Sequence, residues 1–224
     1  MSRALRLSAA LVVGHAMAHL ALPTAWWQGP HVVSNLALAA SFALRDRTAL
    51  AGGRPWTRQL AVTVAAVVGA GALSALAMRL PGLHRVYAEE RVGSLPPGLR
   101  PVHLAVMVPL GKVVPEEVLF RGVLQQRWEE ETGGRWGGIL GSSMVFGLWH
   151  IGPSVAALMR LRPTKSPAEI VGAVAWTVTT TALAGIGFGM LRSLSGGLAA
   201  PIGAHLAINV VGSLAGRPPG AREG

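Results

Sequence analysis

The stretch LAVTVAAVVGAGALSALAM, residues 60–78, contains no charged residue and is long enough as a helix to cross a lipid bilayer. Other long apolar runs occupy residues 7–22, 137–149, 170–191 and 198–214. Only 13% of all residues are charged, whereas a soluble domain carries about 25%. Because lipid offers no water to backbone polar groups, spans made of such runs must be helical. The sequence therefore predicts an all-α fold, a polytopic transmembrane helical bundle.

The apolar runs and the polar segments between them predict the number and order of the helices. We expect helices at 4–22, 27–44, 57–80, 101–126, 136–159, 168–191 and 197–215. The second is short for a membrane span, so we expect about seven spans within a range of six to eight. The chain then divides into N-terminal membrane helices (1–100), a membrane core that carries the polar motifs described below (101–215) and a short polar tail (216–224).

The charge and the cysteine count exclude several classes of function. The net charge is +10 and no cysteine is present, which excludes disulfides, thiol catalysis and cysteine metal sites. The arginines cluster between the apolar runs, as in 45–58, and this pattern is typical of loops that bind anionic lipid headgroups. No basic aromatic surface accompanies them, so we expect lipid and no nucleic acid as partner. The Ala, Gly, Arg and Pro content is typical of a bacterial gene, so we expect a multi-pass protein of a bacterial plasma membrane. The sequence does not indicate the oligomeric state of the protein.

The first polar motif lies within the helix predicted at 101–126. Ionisable side chains at membrane depth cost a few kcal/mol each, so they indicate a functional site. Glu117 and Arg121 are four residues apart and are predicted to pair along one helix surface. Glu116 points elsewhere and is expected to have no partner on its own helix, which makes it a candidate acid or base. Alternatively, all three side chains form a structural ion network.

Two further motifs lie on later helices. His150 follows Phe146 by four residues, and a lone histidine there is more typical of a core or interfacial residue. His205 and Asn209 are also four apart and share one helix face. Both can donate hydrogen bonds to an oxyanion. Alternatively, His205 binds zinc with His150 and a glutamate, or forms only a polar contact between helices.

The three motifs together resemble one protein family. In chain order they are EExxxR, FxxxH and HxxxN, formed here by Glu116, Glu117, Arg121, Phe146, His150, His205 and Asn209. This pattern resembles the CAAX-protease and bacteriocin-processing family, also called the abortive-infection family, which includes the type II CAAX prenyl endopeptidases. The resemblance covers residues 100–212.

The resemblance implies an intramembrane endopeptidase that acts on a membrane-associated or lipidated peptide or protein. It implies that Glu116 is the general base on a water, which His150 positions. It also implies that His205 and Asn209 stabilise the oxyanion. The residues that would support the site are Glu117, Arg121 and Phe146.

The resemblance leaves the cofactor open, because the family has been labelled both as metalloprotease and as glutamate-type protease. The zinc motif His-Glu-x-x-His is absent, so we expect chemistry without a cofactor. If zinc is bound, its ligands are expected to be Glu116, His150 and His205. The alternative functions are a non-catalytic immunity or adaptor scaffold of the same family and a proton-coupled transporter, although no inverted repeat supports the latter.

Overall fold

The protein is helical throughout almost all of the chain that the structure describes. The computed structural model describes residues 2–22, 31–45, 53–79, 98, 100–161 and 166–215. These residues contain no β-strand, which confirms the all-α prediction. The predicted tail at 216–224, the first residues of the helix predicted at 27–44 and most of the basic loop at 45–58 lie outside the described residues.

The described residues form eight helices. They are α1 (Arg3–Ala21), α2 (His31–Arg45), α3 (Trp56–Ala77), α4 (Arg100 to Thr132), α5 (Arg135–Trp149), α6 (Ile151–Leu161), α7 (Pro167–Ser195) and α8 (Ala199–Ala215). Two glycines with left-handed backbone end the helices that lead into tight turns. Gly133 has φ 70° after α4 and Gly196 has φ 74° after α7, a conformation that glycine adopts without steric cost.

Four helical segments within the described residues are long and apolar enough to cross a membrane. They are α1, α3, the combined α5 and α6 (Arg135–Met159), and α7. The C-terminal helix α8 is apolar but shorter. The predicted number of about seven spans is therefore not confirmed. The spans differ in burial, because only a small share of α3 and α7 is buried whereas half of the α5–α6 segment is.

Helix α4 combines α-helical turns with π-helical turns at His103–Met107, Pro109–Val113 and Val118–Leu124. Pro115 has no N–H with which to bond the carbonyl of Gly111, one turn earlier. Asn35 on α2 satisfies this carbonyl instead, because its Nδ2 donates to the Gly111 oxygen at 2.7 Å. The approach is close, since a Cβ on Gly111 would lie 2.8 Å from the Val32 side chain.

The packing of the other helices encloses α4. Extensive contacts pair α3 with α8 and α5 with α7, while α2 packs along α4 and α1 packs on α5 and α6. Buried apolar side chains fill the space between these helices, among them Phe120, Leu124, Phe146, Trp149 and Phe188. The middle of α4 is thus enclosed, and its charged residues Glu116, Glu117 and Arg121 are buried against protein.

Candidate active site

The charged residues of α4 lie in the middle of the bundle. Glu117 and Arg121 form an ion pair on one helix face, with 3.4 Å between Glu117 Oε2 and Arg121 Nε, and both side chains are fully buried. Glu116 is also buried, and its Oε2 has no hydrogen-bond partner among the described residues. A buried carboxylate oxygen without a protein partner is able to accept a hydrogen bond from water.

Aromatic rings surround the Arg121 guanidinium. Its carbon lies 4.2 Å from the ring centre of Phe146, 5.2 Å from that of Phe188 and 5.9 Å from that of Phe120. Cation–π attraction of this kind stabilises a desolvated guanidinium by about 2 kcal/mol. Arg121 also borders a polar cavity of about 270 Å³ that Gln125 and other polar residues of α4 and α7 line. None of its guanidinium nitrogens has a hydrogen-bond partner in the described protein, so this cavity suits water.

His205 of α8 lies between the two glutamates of α4. Its Nδ1 is 2.8 Å from Glu117 Oε1, and its Nε2 is 3.8 Å from Glu116 Oε2. Since a carboxylate only accepts hydrogen bonds, Nδ1 carries a proton and donates it to Glu117. The ring stacks on Phe188 with 4.8 Å between ring centres. Glu117 therefore fixes His205, and Nε2 is the nitrogen that faces Glu116.

Asn209 lies one helical turn after His205 and contacts α4 as well. Its Nδ2 donates to the His205 carbonyl at 3.0 Å, while its Oδ1 accepts from Lys112 Nζ at 3.1 Å. Lys112 precedes Glu116 by four residues and interacts electrostatically with it.

His150 occupies the break between α5 and α6. Pro153 has no N–H with which to bond the carbonyl of Trp149, and the helix is interrupted at His150. The Nδ1 of His150 lies 2.8 Å from the Phe146 carbonyl oxygen. Because a carbonyl oxygen only accepts, Nδ1 carries the proton of the neutral ring, and Nε2 remains an acceptor. The Phe146 ring contacts both histidines, with 4.8 Å to the His150 ring centre and 5.9 Å to that of His205. His150 thus joins the group through this shared aromatic neighbour.

The donor set expected for zinc does not fit a metal centre. No three His, Asp or Glu side chains among the described residues are arranged to hold a metal ion, and this includes Glu116, His150 and His205. His15 and His19 are four residues apart on α1, and they pack on the core. The His15 ring stacks on Trp149 with 3.5 Å between ring centres.

A comparison with known protein families matches the segment that contains these residues. The family model described as type II CAAX prenyl endopeptidase Rce1-like matches residues 98–211, which is just over half of the chain. The chain belongs to this Rce1-like family. No curated protein and no solved structure matches the chain. The Rce1-like family is a protease family, which supports a CAAX-protease-type intramembrane peptidase and does not favour the scaffold alternative. Together with the four apolar helices, membership indicates an integral membrane protein.

The matched segment contains every predicted site residue, and the structure gathers them at the centre of the bundle. Glu116, Glu117, His205 and Asn209 meet where α4 and α8 pack, and Arg121 and Phe146 lie against them. His150 contacts Phe146. The sequence analysis missed Lys112. Its signal was the spacing of four residues before Glu116, which is the same spacing that indicated the pairing of Glu117 with Arg121.

Proposed function

We propose that this Rce1-like protein hydrolyses a peptide bond of a membrane-associated or lipidated peptide, with a water that Glu116 activates. The observation that carries the proposal is the position of Glu116. Its buried Oε2 lacks a hydrogen-bond partner in the described protein and lies 3.8 Å from His205 Nε2. A water bound beside this oxygen would be within reach of the base and of the groups that stabilise the transition state.

The reaction proceeds in two steps. Glu116 takes a proton from the water as the water oxygen bonds to the carbonyl carbon of the substrate. The oxygen of the resulting tetrahedral intermediate accepts hydrogen bonds from His205 Nε2 and Asn209 Nδ2. Glu116 then returns the proton to the leaving nitrogen as the C–N bond breaks, which yields a free carboxyl end and a free amine. His150 accepts a hydrogen bond from the water through Nε2 and fixes its direction of attack.

The supporting residues act through His205. In this mechanism His205 enters the reaction with a proton on each ring nitrogen and keeps both throughout, so that Nδ1 donates to Glu117 and Nε2 donates to the oxyanion. Glu117 orients the ring at 2.8 Å, and Arg121 balances the charge of Glu117. This division of roles gives Glu116 the proton transfer and Glu117 the orientation. No step requires a metal.

The test is cleavage by purified protein in liposomes, with peptides offered in prenylated and unmodified forms. Glu116→Gln removes the base and is expected to lower kcat by about 10²- to 10⁴-fold. The matched control is Glu130→Gln, because Glu130 is a half-exposed glutamate of the same helix that pairs with Arg127. The control is expected to cleave at the wild-type rate. A folded Glu116→Gln variant that cleaves as fast as the wild type would refute the proposed role of Glu116.

A further inference from the structure

Lys112 fixes the orientation of the Asn209 side chain. An ammonium group only donates, so its contact at 3.1 Å requires the oxygen of the amide, Oδ1, on the side of Lys112. The amide nitrogen then lies on the opposite side and uses one of its two N–H groups to bond the His205 carbonyl at 3.0 Å. One N–H remains for a further acceptor.

The contact joins α4 to α8, as the hydrogen bond between Glu117 and His205 also does. Lys112 and Glu117 extend from α4, and they meet Asn209 and His205 of α8, respectively. Because the spacing along each helix is about one turn, the two links lie one above the other along the helix pair. Glu116 lies between them in the sequence of α4.

We propose that Lys112 is a positioning residue of the peptidase site, which holds the Asn209 amide with its free N–H toward the substrate oxyanion. This inference rests on the proposed function. Without Lys112, the amide is free to rotate by half a turn and to present Oδ1, whose partial negative charge repels an oxyanion. The loss is felt in the transition state rather than in substrate binding, so it lowers kcat and leaves KM nearly unchanged.

The test is a double-mutant cycle on cleavage kinetics with Lys112→Met, Asn209→Ala and the combined variant. Removal of one oxyanion donor costs about 10²- to 10³-fold in kcat, and misorientation of that donor is expected to cost about 10- to 100-fold. In the Asn209→Ala background, Lys112→Met is expected to cause almost no further loss. Lys112→Gln, which retains an N–H donor, is expected to recover part of the rate. Arg127→Gln is the control, since it changes an exposed cation of the same helix.

Two outcomes would overturn the inference. The first is that the fold-losses in kcat caused by Lys112→Met and by Asn209→Ala multiply in the combined variant, because the two residues would then act independently. The other is a Lys112→Met variant that raises KM at unchanged kcat, since this would make Lys112 a substrate-binding residue. If the wild-type protein cleaves no peptide, the proposed function is overturned, and the positioning role of Lys112 in that function is overturned with it.

Thermal unfolding of the same variants distinguishes failure of the contact from failure of the proposed function. Non-additive shifts of Tm are expected for Lys112→Met and Asn209→Ala whether or not the protein is a peptidase. Coupled Tm shifts with an inactive wild type would support the contact and refute the function. Additive Tm shifts would refute the contact itself.

Discussion

The buried ion pair of α4 provides the sharpest test of how this bundle tolerates charge. Glu117→Gln and Arg121→Met each remove one charge, and the combined variant removes both. We expect either single variant to destabilise the protein strongly, and the combined variant to be much less destabilised than the sum of the two. The reason is that each single variant leaves one buried charge without an opposite charge beside it. The combined variant leaves only a neutral amide beside a methionine.

The distance between the two groups sets the magnitude. Two unit charges 3.4 Å apart attract by about 5 kcal/mol at an effective dielectric constant of about 20. Loss of one partner of a buried pair costs about 3–5 kcal/mol. We expect the lower end for Glu117→Gln, because the Phe146 ring at 4.2 Å still stabilises the guanidinium. The coupling between the two substitutions is expected to be about 3 kcal/mol.

The assay is the free energy of unfolding of the four proteins in mixed detergent micelles, measured by helical circular dichroism. Arg127 and Glu130 form a matched control on the same helix, since their charged atoms are 3.3 Å apart but their side chains are 38% and 50% exposed. The exposed pair is expected to couple by less than about 1 kcal/mol. The reasoning fails if the losses at Glu117 and Arg121 are additive, or if both pairs couple equally.

Three further predictions concern packing, metal and pH. Gly152→Ala is expected to destabilise the protein by about 1–3 kcal/mol, because its Cβ would lie 2.5 Å from a backbone Cα of α1. The control is Gly172→Ala, whose Cβ would have no atom within 4 Å and which is expected not to lower the free energy of unfolding in the same assay. Exhaustive chelation is expected to leave peptide cleavage unchanged, and a loss that zinc restores would contradict the metal-free mechanism. Hydrogen bonds from Ser2 and from the Ala4 N–H hold the pKa of Glu131, at the polar end of α4, below its ordinary value. The stabilisation is therefore present above that ordinary value and lost as the pH falls through the lowered pKa. The protection factor of the amides in the first turn of α1, which corrects the exchange rate for its intrinsic pH dependence, is expected to fall on acidification, and Glu131→Gln is expected to abolish this dependence.

The helices of this protein could be predicted because apolar length is written directly in the sequence. Residues 60–78 contain no charge, and the structure has a helix at Trp56–Ala77. The number of spans could not be predicted in the same way. The apolar run at 198–214 forms a helix that is shorter than a typical span, so hydropathy alone does not decide whether it crosses the bilayer.

The site was predictable within each helix but not between helices. The spacing of four residues indicates that Glu117 and Arg121 share a helix face, and the structure pairs them. Nothing in the spacing shows that His205 lies between Glu116 and Glu117, because this depends on how α8 packs against α4. The break at His150 had a local signal in Pro153, whose missing N–H ends the bonding pattern of α5.

The arrangement of charges on α4 explains how two adjacent glutamates persist in the interior of a membrane bundle. Lys112 lies four residues before Glu116, and Arg121 lies four residues after Glu117, so each carboxylate has a cation one turn away. The formal charges of these four side chains cancel. The polar motif of α4 is therefore longer than EExxxR, because it includes the lysine that bonds Asn209 of α8.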